Sequence, residues 1–167
     1  MRIRPEESQD CAAIEDVHIA AFADHPYSRQ TEHLIVNALR ADHALAVSLV
    51  AEVEGQVVGH IAFSPVRIGG RECAWFILGP IGVLPEHQRR GIGQALVRDG
   101  FKAIQSLGAG GCVLVGYPEY YSRFGFVQAR GLLFEGVPPE YCMCLPISGP
   151  VPSGSVSYHP AFFVTAR

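Results

Sequence analysis

The sequence predicts an α/β fold, a single mixed sheet with helices packed on it. Three observations predict it. The 167 residues are 49% hydrophobic and 17% charged, which is enough apolar side chain for one real core and too ordered a composition for a disordered chain. Segments of strand period alternate along the chain with segments of helical period. One stretch, Trp75–Leu107, passes from a short apolar run through a basic, glycine-broken turn into a helical pattern, as a strand feeding a helix does.

The elements follow in order. Ile3 and Arg4 form a short first strand closed by Pro5, and Ser8 is placed to cap a helix running to about Phe22. Cys11, Ile14, Val17 and Ala21 give that helix its period. Pro26 disfavours helix at His25, so Ala23–Ser28 is a break. A second helix runs to about Arg40 with Leu34, Ile35, Ala38 and Leu39 apolar. Residues 45–53 alternate as a strand, Glu54-Gly55 is a two-residue turn, and Gln56–Val66 is the return strand. Gly69-Gly70 makes a second turn into the strand that carries the apolar run Trp75–Leu84. After the basic turn, Ile92, Leu96, Ala103 and Leu107 share one helix face, and Gly108–Gly111 ends the helix. Cys112–Val115 is a short apolar strand, buried on both faces and parallel to its neighbour. Pro118 opens a short helix with Glu119, Tyr120, Tyr121 and Arg123, which Gly125 ends. Phe126-Val127 starts a strand, and Glu140–Leu145 is another, with Tyr141, Met143 and Leu145 alternating. One domain is expected over 1–147. Residues 148–167 form an extended tail held on it by Tyr158, Phe162 and Phe163.

Composition excludes several functions. A net charge of −3 argues against nucleic acid as the main partner, because backbone binding needs a basic face. No N-terminal segment joins a basic start to an apolar core, and no apolar run is long enough for a bilayer, so a cytoplasmic protein without membrane contact is expected. The five cysteines are odd in number and scattered, which reads as reduced, mostly buried thiols. Cys142-x-Cys144 has the wrong spacing for a zinc knuckle, and no metal site is expected.

The turn Pro85–Arg90, followed by Gly91-Ile92-Gly93, is a candidate anion site. The first N–H groups of a helix lack partners and carry the positive end of its dipole. Glycine admits a large anion to the bare backbone, and Arg89 and Arg90 add charge. The bland alternative is an ordinary strand–turn–helix with two solvated arginines. A Walker loop is absent, since the one lysine, Lys102, lies well inside the helix. A dinucleotide fingerprint fails because Leu96 stands where its third glycine should be. What fits is Q/R-x-x-G-x-G/A, as Gln88-Arg89-Arg90-Gly91-Ile92-Gly93.

That pattern resembles the pyrophosphate loop of the GNAT superfamily of acetyl-coenzyme A-dependent N-acetyltransferases. The strand ending Ile81-Gly82-Val83 stands directly upstream. Downstream, Tyr121-Ser122-Arg123-Phe124-Gly125-Phe126 looks like the family's Y-x-x-x-G-F element. Gly116–Phe126 looks like a bacterial subgroup of acetyltransferases, with Tyr117 where Asp is common. The resemblance implies a mostly antiparallel sheet whose fourth and fifth strands are parallel and splayed. It implies acetyl-CoA as co-substrate, with the N–H groups from Arg89 through Gln94 on the pyrophosphate and Ile81, Gly82 and Val83 along the pantetheine arm. Phe124 would be a wall of the site, and Tyr121 the acid for the leaving thiolate. The acceptor would be an amine of a small molecule or protein. The same fold could instead be a non-catalytic acyl-CoA sensor. The residues leave the base open: no glutamate occurs between Ala74 and Leu84, and Glu72, His60, His25, Tyr27 or a water chain to bulk solvent are the candidates. A homodimer through the tail is a further expectation.

Overall fold

The computed structural model describes residues 1–165. Its sheet runs in the order β1 (Arg2–Pro5), β2 (Val47–Val53), β3 (Gln56–Ile68), β4 (Arg71–Val83), β5 (Gly111–Val115), β8 (Cys142–Pro146), β6 (Val127–Gln128). All neighbours on this path are antiparallel except β4 and β5, which are parallel. Among the described residues four α-helices accompany it: α1 (Cys11–Phe22), α2 (Glu32–Ala41), α3 (Ile92–Ser106) and the single turn α4 (Pro118–Tyr121). The mixed sheet and the parallel fourth and fifth strands are as expected.

Local chemistry explains the joints. Both turn pairs, Glu54-Gly55 and Gly69-Gly70, have positive φ at each residue, the twist that joins antiparallel strands tightly. The helical entry differs from expectation. Ser8 does not cap it: a 3-10 turn, Ser8–Asp10, precedes α1, and the Asp10 carboxylate accepts the Glu7 N–H at 2.7 Å. Arg4 then donates to both Asp10 and Glu52, at 2.7 and 3.0 Å, tying β1 and β2 to the helix start. This bidentate position holds the Asp10 carboxyl below the usual carboxylate range.

The largest core lies between the sheet and α3. Phe63, Ile61, Leu96, Ile104 and Leu114 are fully buried there. A side chain of that size contributes about 2–3 kcal/mol on burial. Gly100 lets the pieces meet, because a β-carbon on it would lie 2.4 Å from the Phe63 ring. On the opposite face, α1 and α2 cover Val50 and Val57 through Ile14, Val17 and Val36.

The C-terminal quarter departs most from the sequence reading. Tyr141 ends a 3-10 turn, Pro139–Tyr141, rather than lying in the strand, which starts at Cys142. Cys142 and Cys144 share the second core with Trp75 and Val113, as two thiols on one strand face should. Two short strands went unread: β7 (Leu132–Leu133) and β9 (Gly154–Ser157). They pair with each other, and β9 also pairs with Arg67-Ile68 of β3. Strands of two to four residues have too little period to read. Tyr158 and Phe162 pack on this core, whereas Phe163 is 70% exposed and holds nothing. The last two residues of the expected tail lie outside the described residues.

Candidate active site

Strand β4 runs past the end of β5 and creates the site. The two pair only from Trp75↔Gly111 to Ile77↔Val113. Beyond Ile77, β4 continues to Val83 beside no strand on that edge, so a wedge opens between it and the end of β5. The Gly79-Pro80 pair lies at the mouth of the wedge. Ile61↔Ile81 and Phe63↔Leu78 show an extra residue on β4 there, a bulge that fits a proline with no N–H to donate.

Register decides which backbone groups face the wedge. The Leu84 N–H donates to the Val58 carbonyl at 2.8 Å. Bonded and non-bonded pairs alternate in an antiparallel ladder, so Gly82 bonds across to His60, while Ile81 and Val83 turn their N–H and C=O groups toward the wedge. In this structure the Gln88 side-chain amide donates to the Val83 carbonyl at 3.0 Å. Gly82 is set apart from its two neighbours: its polar groups serve β3, and its Cα lies against α1.

At the end of the strand the chain builds the turn before α3. Arg89 has φ +61° and Gly91 φ +82°, two left-handed positions around Arg90. For Arg89 this is an uncommon conformation, and it sets successive N–H groups into a concave arrangement that suits an anion. The Ala95 N–H donates to the Gly91 carbonyl at 3.0 Å, leaving the N–H groups of Ile92, Gly93 and Gln94 without helical acceptors. Arg89, Arg90 and Gly91 are exposed, whereas the Ile92 side chain is buried and only its backbone remains available.

Helix α4 covers the wedge from the β5 side. The Tyr121 ring lies on Gly116, just past β5, where a β-carbon would be 2.5 Å from it. Its other ring neighbours are Tyr120, Phe126 and Phe124, with centroids at 5.0, 6.0 and 6.4 Å. Burial pushes the Tyr121 phenol above the usual tyrosine range, so it stays protonated at neutral pH and can donate. The Tyr120 hydroxyl faces the turn before α3, 3.2 Å from where a Gly93 β-carbon would sit, and the Arg123 guanidinium lies 4.6 Å from its ring centre. Phe124 packs between Tyr120 and Phe101 of α3. The structure thus brings α4 onto the turn before α3 through Tyr120 and Gly93, and Phe124 onto α3 through Phe101.

The base candidates scatter. Glu72 is at the far end of β4, 85% exposed and paired with Arg67 at 3.0 Å, which removes it from the site. Tyr27 is 78% exposed in the α1–α2 break, beside His25. His60 is fully buried under α1, and there sequence reasoning missed its partner. His18 Nε2 lies 2.8 Å from His60 Nδ1, and Ser48 Oγ lies 2.8 Å from His60 Nε2. Burial lowers both imidazoles, His60 to about 3. One signal could have found His18: it sits one turn from Ile14 on the apolar face of the first helix. Among the described residues no group of three His, Cys, Asp or Glu is placed to hold a metal. No helix among them is long and apolar enough to cross a membrane.

A splayed parallel strand pair feeding a bare helix terminus defines an acyltransferase class of site. The model of the family described as an acetyltransferase (GNAT) domain matches residues 2–129. The chain belongs to that family. It is 35% identical over 130 residues to the uncharacterized N-acetyltransferase YhbS of Escherichia coli K12, covering 77% of this chain and 75% of that protein. A GNAT family acetyltransferase from Brucella melitensis, solved in complex with acetyl-CoA, is 50% identical with a TM-score of 0.87, over 96% of this chain and 97% of that one. YhbS solved with CoA superposes at a TM-score of 0.88 with 30% identity over 99% of this chain and 93% of its own.

Proposed function

We propose that this chain transfers an acetyl group from acetyl-CoA directly to an amine. One observation carries the reading: the edge of β4 loses its strand partner just before the chain enters the exposed N-terminus of α3. A pantetheine arm adds to such an edge as another strand would, and a diphosphate suits such a helix end. Homologues solved with acetyl-CoA and CoA support the same ligand.

The roles follow from position. The N–H groups from Arg89 to Gln94 hold the pyrophosphate, with Gln88 moving off the Val83 carbonyl as the cofactor arrives. Ile81 and Val83 pair with the pantetheine amides, and one of their N–H groups polarises the thioester carbonyl. The amine attacks that carbon, the C–N bond forms, and the adduct collapses by breaking C–S. Tyr121 gives its phenol proton to the departing sulfur. Phe124 backs the groove. All five cysteines are free, which agrees with work in the reducing cytoplasm. A homodimer on the C-terminal segment belongs to the same reading and is supported by exposed Leu133 and Phe163.

Calorimetric titration with acetyl-CoA, with ATP and NAD as controls, tests the reading. Selective binding in the micromolar range is expected. A folded protein that binds none of the three would overturn it. Binding without turnover of any amine in a broad panel would favour a sensor on the same fold.

A further inference from the structure

His18 is the one residue shared by three features. Its Nδ1 is buried with no hydrogen-bond partner, and it lies 3.1 Å from where a Gly82 β-carbon would sit on the cofactor strand. Its Nε2 begins the chain to His60 and Ser48. It also helps line a cavity of about 300 Å³ with Phe22, Ala23, Gln30, Glu32 and His33, between α1 and the start of α2. A buried imidazole nitrogen without a partner is destabilising and needs an explanation. We infer that His18 Nδ1 takes the proton of the attacking amine and that His60 and Ser48 position it and carry the displaced charge across the sheet.

This rests on the acetyl-transfer reading and supplies the base that β4 lacks. In the competent tautomer His18 Nδ1 is bare, Nε2–H donates to His60 Nδ1, and His60 Nε2–H donates to Ser48 Oγ. A proton arriving at Nδ1 shifts each bond in turn, and the partly exposed Ser48 hydroxyl releases one proton to water. No imidazolium persists, which matters because burial strongly opposes one. When the adduct collapses the shift reverses. Ser48 takes one proton from water and His18 Nδ1 gives one up to water, while the Tyr121 phenolate left by protonation of the thiolate takes its proton from solvent. Atoms and charge balance over the turnover.

The groups facing this chain are few. His33 and Glu32 approach from α2, Ser48 from β2 and Arg40 from the end of α2, while β4 presents only Gly82. Arg40 is engaged by Glu6 at 2.8 Å.

Two measurements decide. Imidazole nitrogen NMR of the whole protein with acetyl-CoA bound should show His18 Nδ1 without a proton, and a protonated Nδ1 would overturn the inference with no acceptor needed. Then His18→Gln and His60→Gln are assayed with any amine the wild type acetylates, from pH 7 to pH 10. His18→Gln should keep acetyl-CoA affinity within about twofold. It should lose about 100-fold in kcat/KM for the amine at pH 7, and the loss should shrink toward pH 10 as the amine deprotonates in bulk. His60→Gln should show the same pH dependence at about tenfold. A loss that is equal at every pH means a structural pair and sinks the idea. If the wild type binds no acetyl-CoA, the acetyl-transfer reading fails first and separately.

Discussion

The two sides of strand β4 are built on different principles. Toward the wedge it offers backbone: N–H and C=O groups of Ile81 and Val83, then the free N–H groups at the start of α3. Toward α1 it offers a glycine with an imidazole seated on it, and behind that a three-residue chain drawn from α1, β3 and β2. The first is assembled from consecutive residues and tolerates almost any side chain that does not block it. The second depends on side chains as far apart as His18 and His60. Backbone sites are robust to sequence and intolerant of bulk, whereas side-chain networks are the reverse.

The sharpest break in that contrast is bulk at the turn. Gly91→Glu or Gly93→Glu places a carboxylate where the diphosphate must sit. Acetyl-CoA affinity should fall more than about 100-fold, measured by calorimetry on folded protein, a loss well beyond the roughly 1–2 kcal/mol of stability that the left-handed φ of residue 91 or the Tyr120 hydroxyl beside residue 93 would cost. Wild-type affinity in both variants would remove the backbone account of the turn.

The opposite side should show itself through acid. His60 falls from an ordinary value of 6.5 to about 3 in the fold, so its neutral form stabilises the protein above about pH 6.5. That stability is lost as pH falls from 6.5 toward 3, at roughly 1.4 kcal/mol per unit for this group. Denaturant titrations at pH 7, 6 and 5 should show the decline, and His60→Gln should flatten it. An unchanged slope in the variant would mean that His60 is not the group titrating.

Tyr121→Phe removes a donor on the wedge side without changing shape. We expect kcat to drop about 10–100-fold while the acetyl-CoA dissociation constant stays within about twofold. Wild-type kcat would eliminate Tyr121 as the acid and turn attention to Tyr120, whose hydroxyl also reaches this side.

The smallest effect sharpens the comparison at one position. A β-carbon on Gly82 would sit 3.1 Å from His18 Nδ1 and 3.2 Å from Ala21 Cβ. Gly82→Ala should therefore cost about 1–2 kcal/mol of stability in urea unfolding and leave cofactor affinity alone. Weakened affinity with full stability would place Gly82 on the wedge side after all.

Much of the cofactor side was legible because its elements are contiguous. Leu78 to Gln94 reads as strand, turn and helix from apolar run, Pro85 and two glycines, and local rules suffice for each. The same holds for Tyr121 four residues before Gly125. The C-terminal segment resisted because β7 and β9 are held by pairing with each other and with β3, and their own residues carry no period. Glu72 looked near the site along the chain and is far from it, since an extended strand carries its ends apart at about 3.3 Å per residue.

By itself the sequence determined the α/β class, the parallel strand pair, the glycine turn before α3 and the family to which they point, because each is a local pattern or a contiguous motif. Only the tertiary structure decided which edge of β4 lies open, that Gly82 packs against α1, and that His18 meets His60. Those facts depend on strand register and on how α1 seats across the sheet, and both are set by long-range packing that no stretch of chain carries alone.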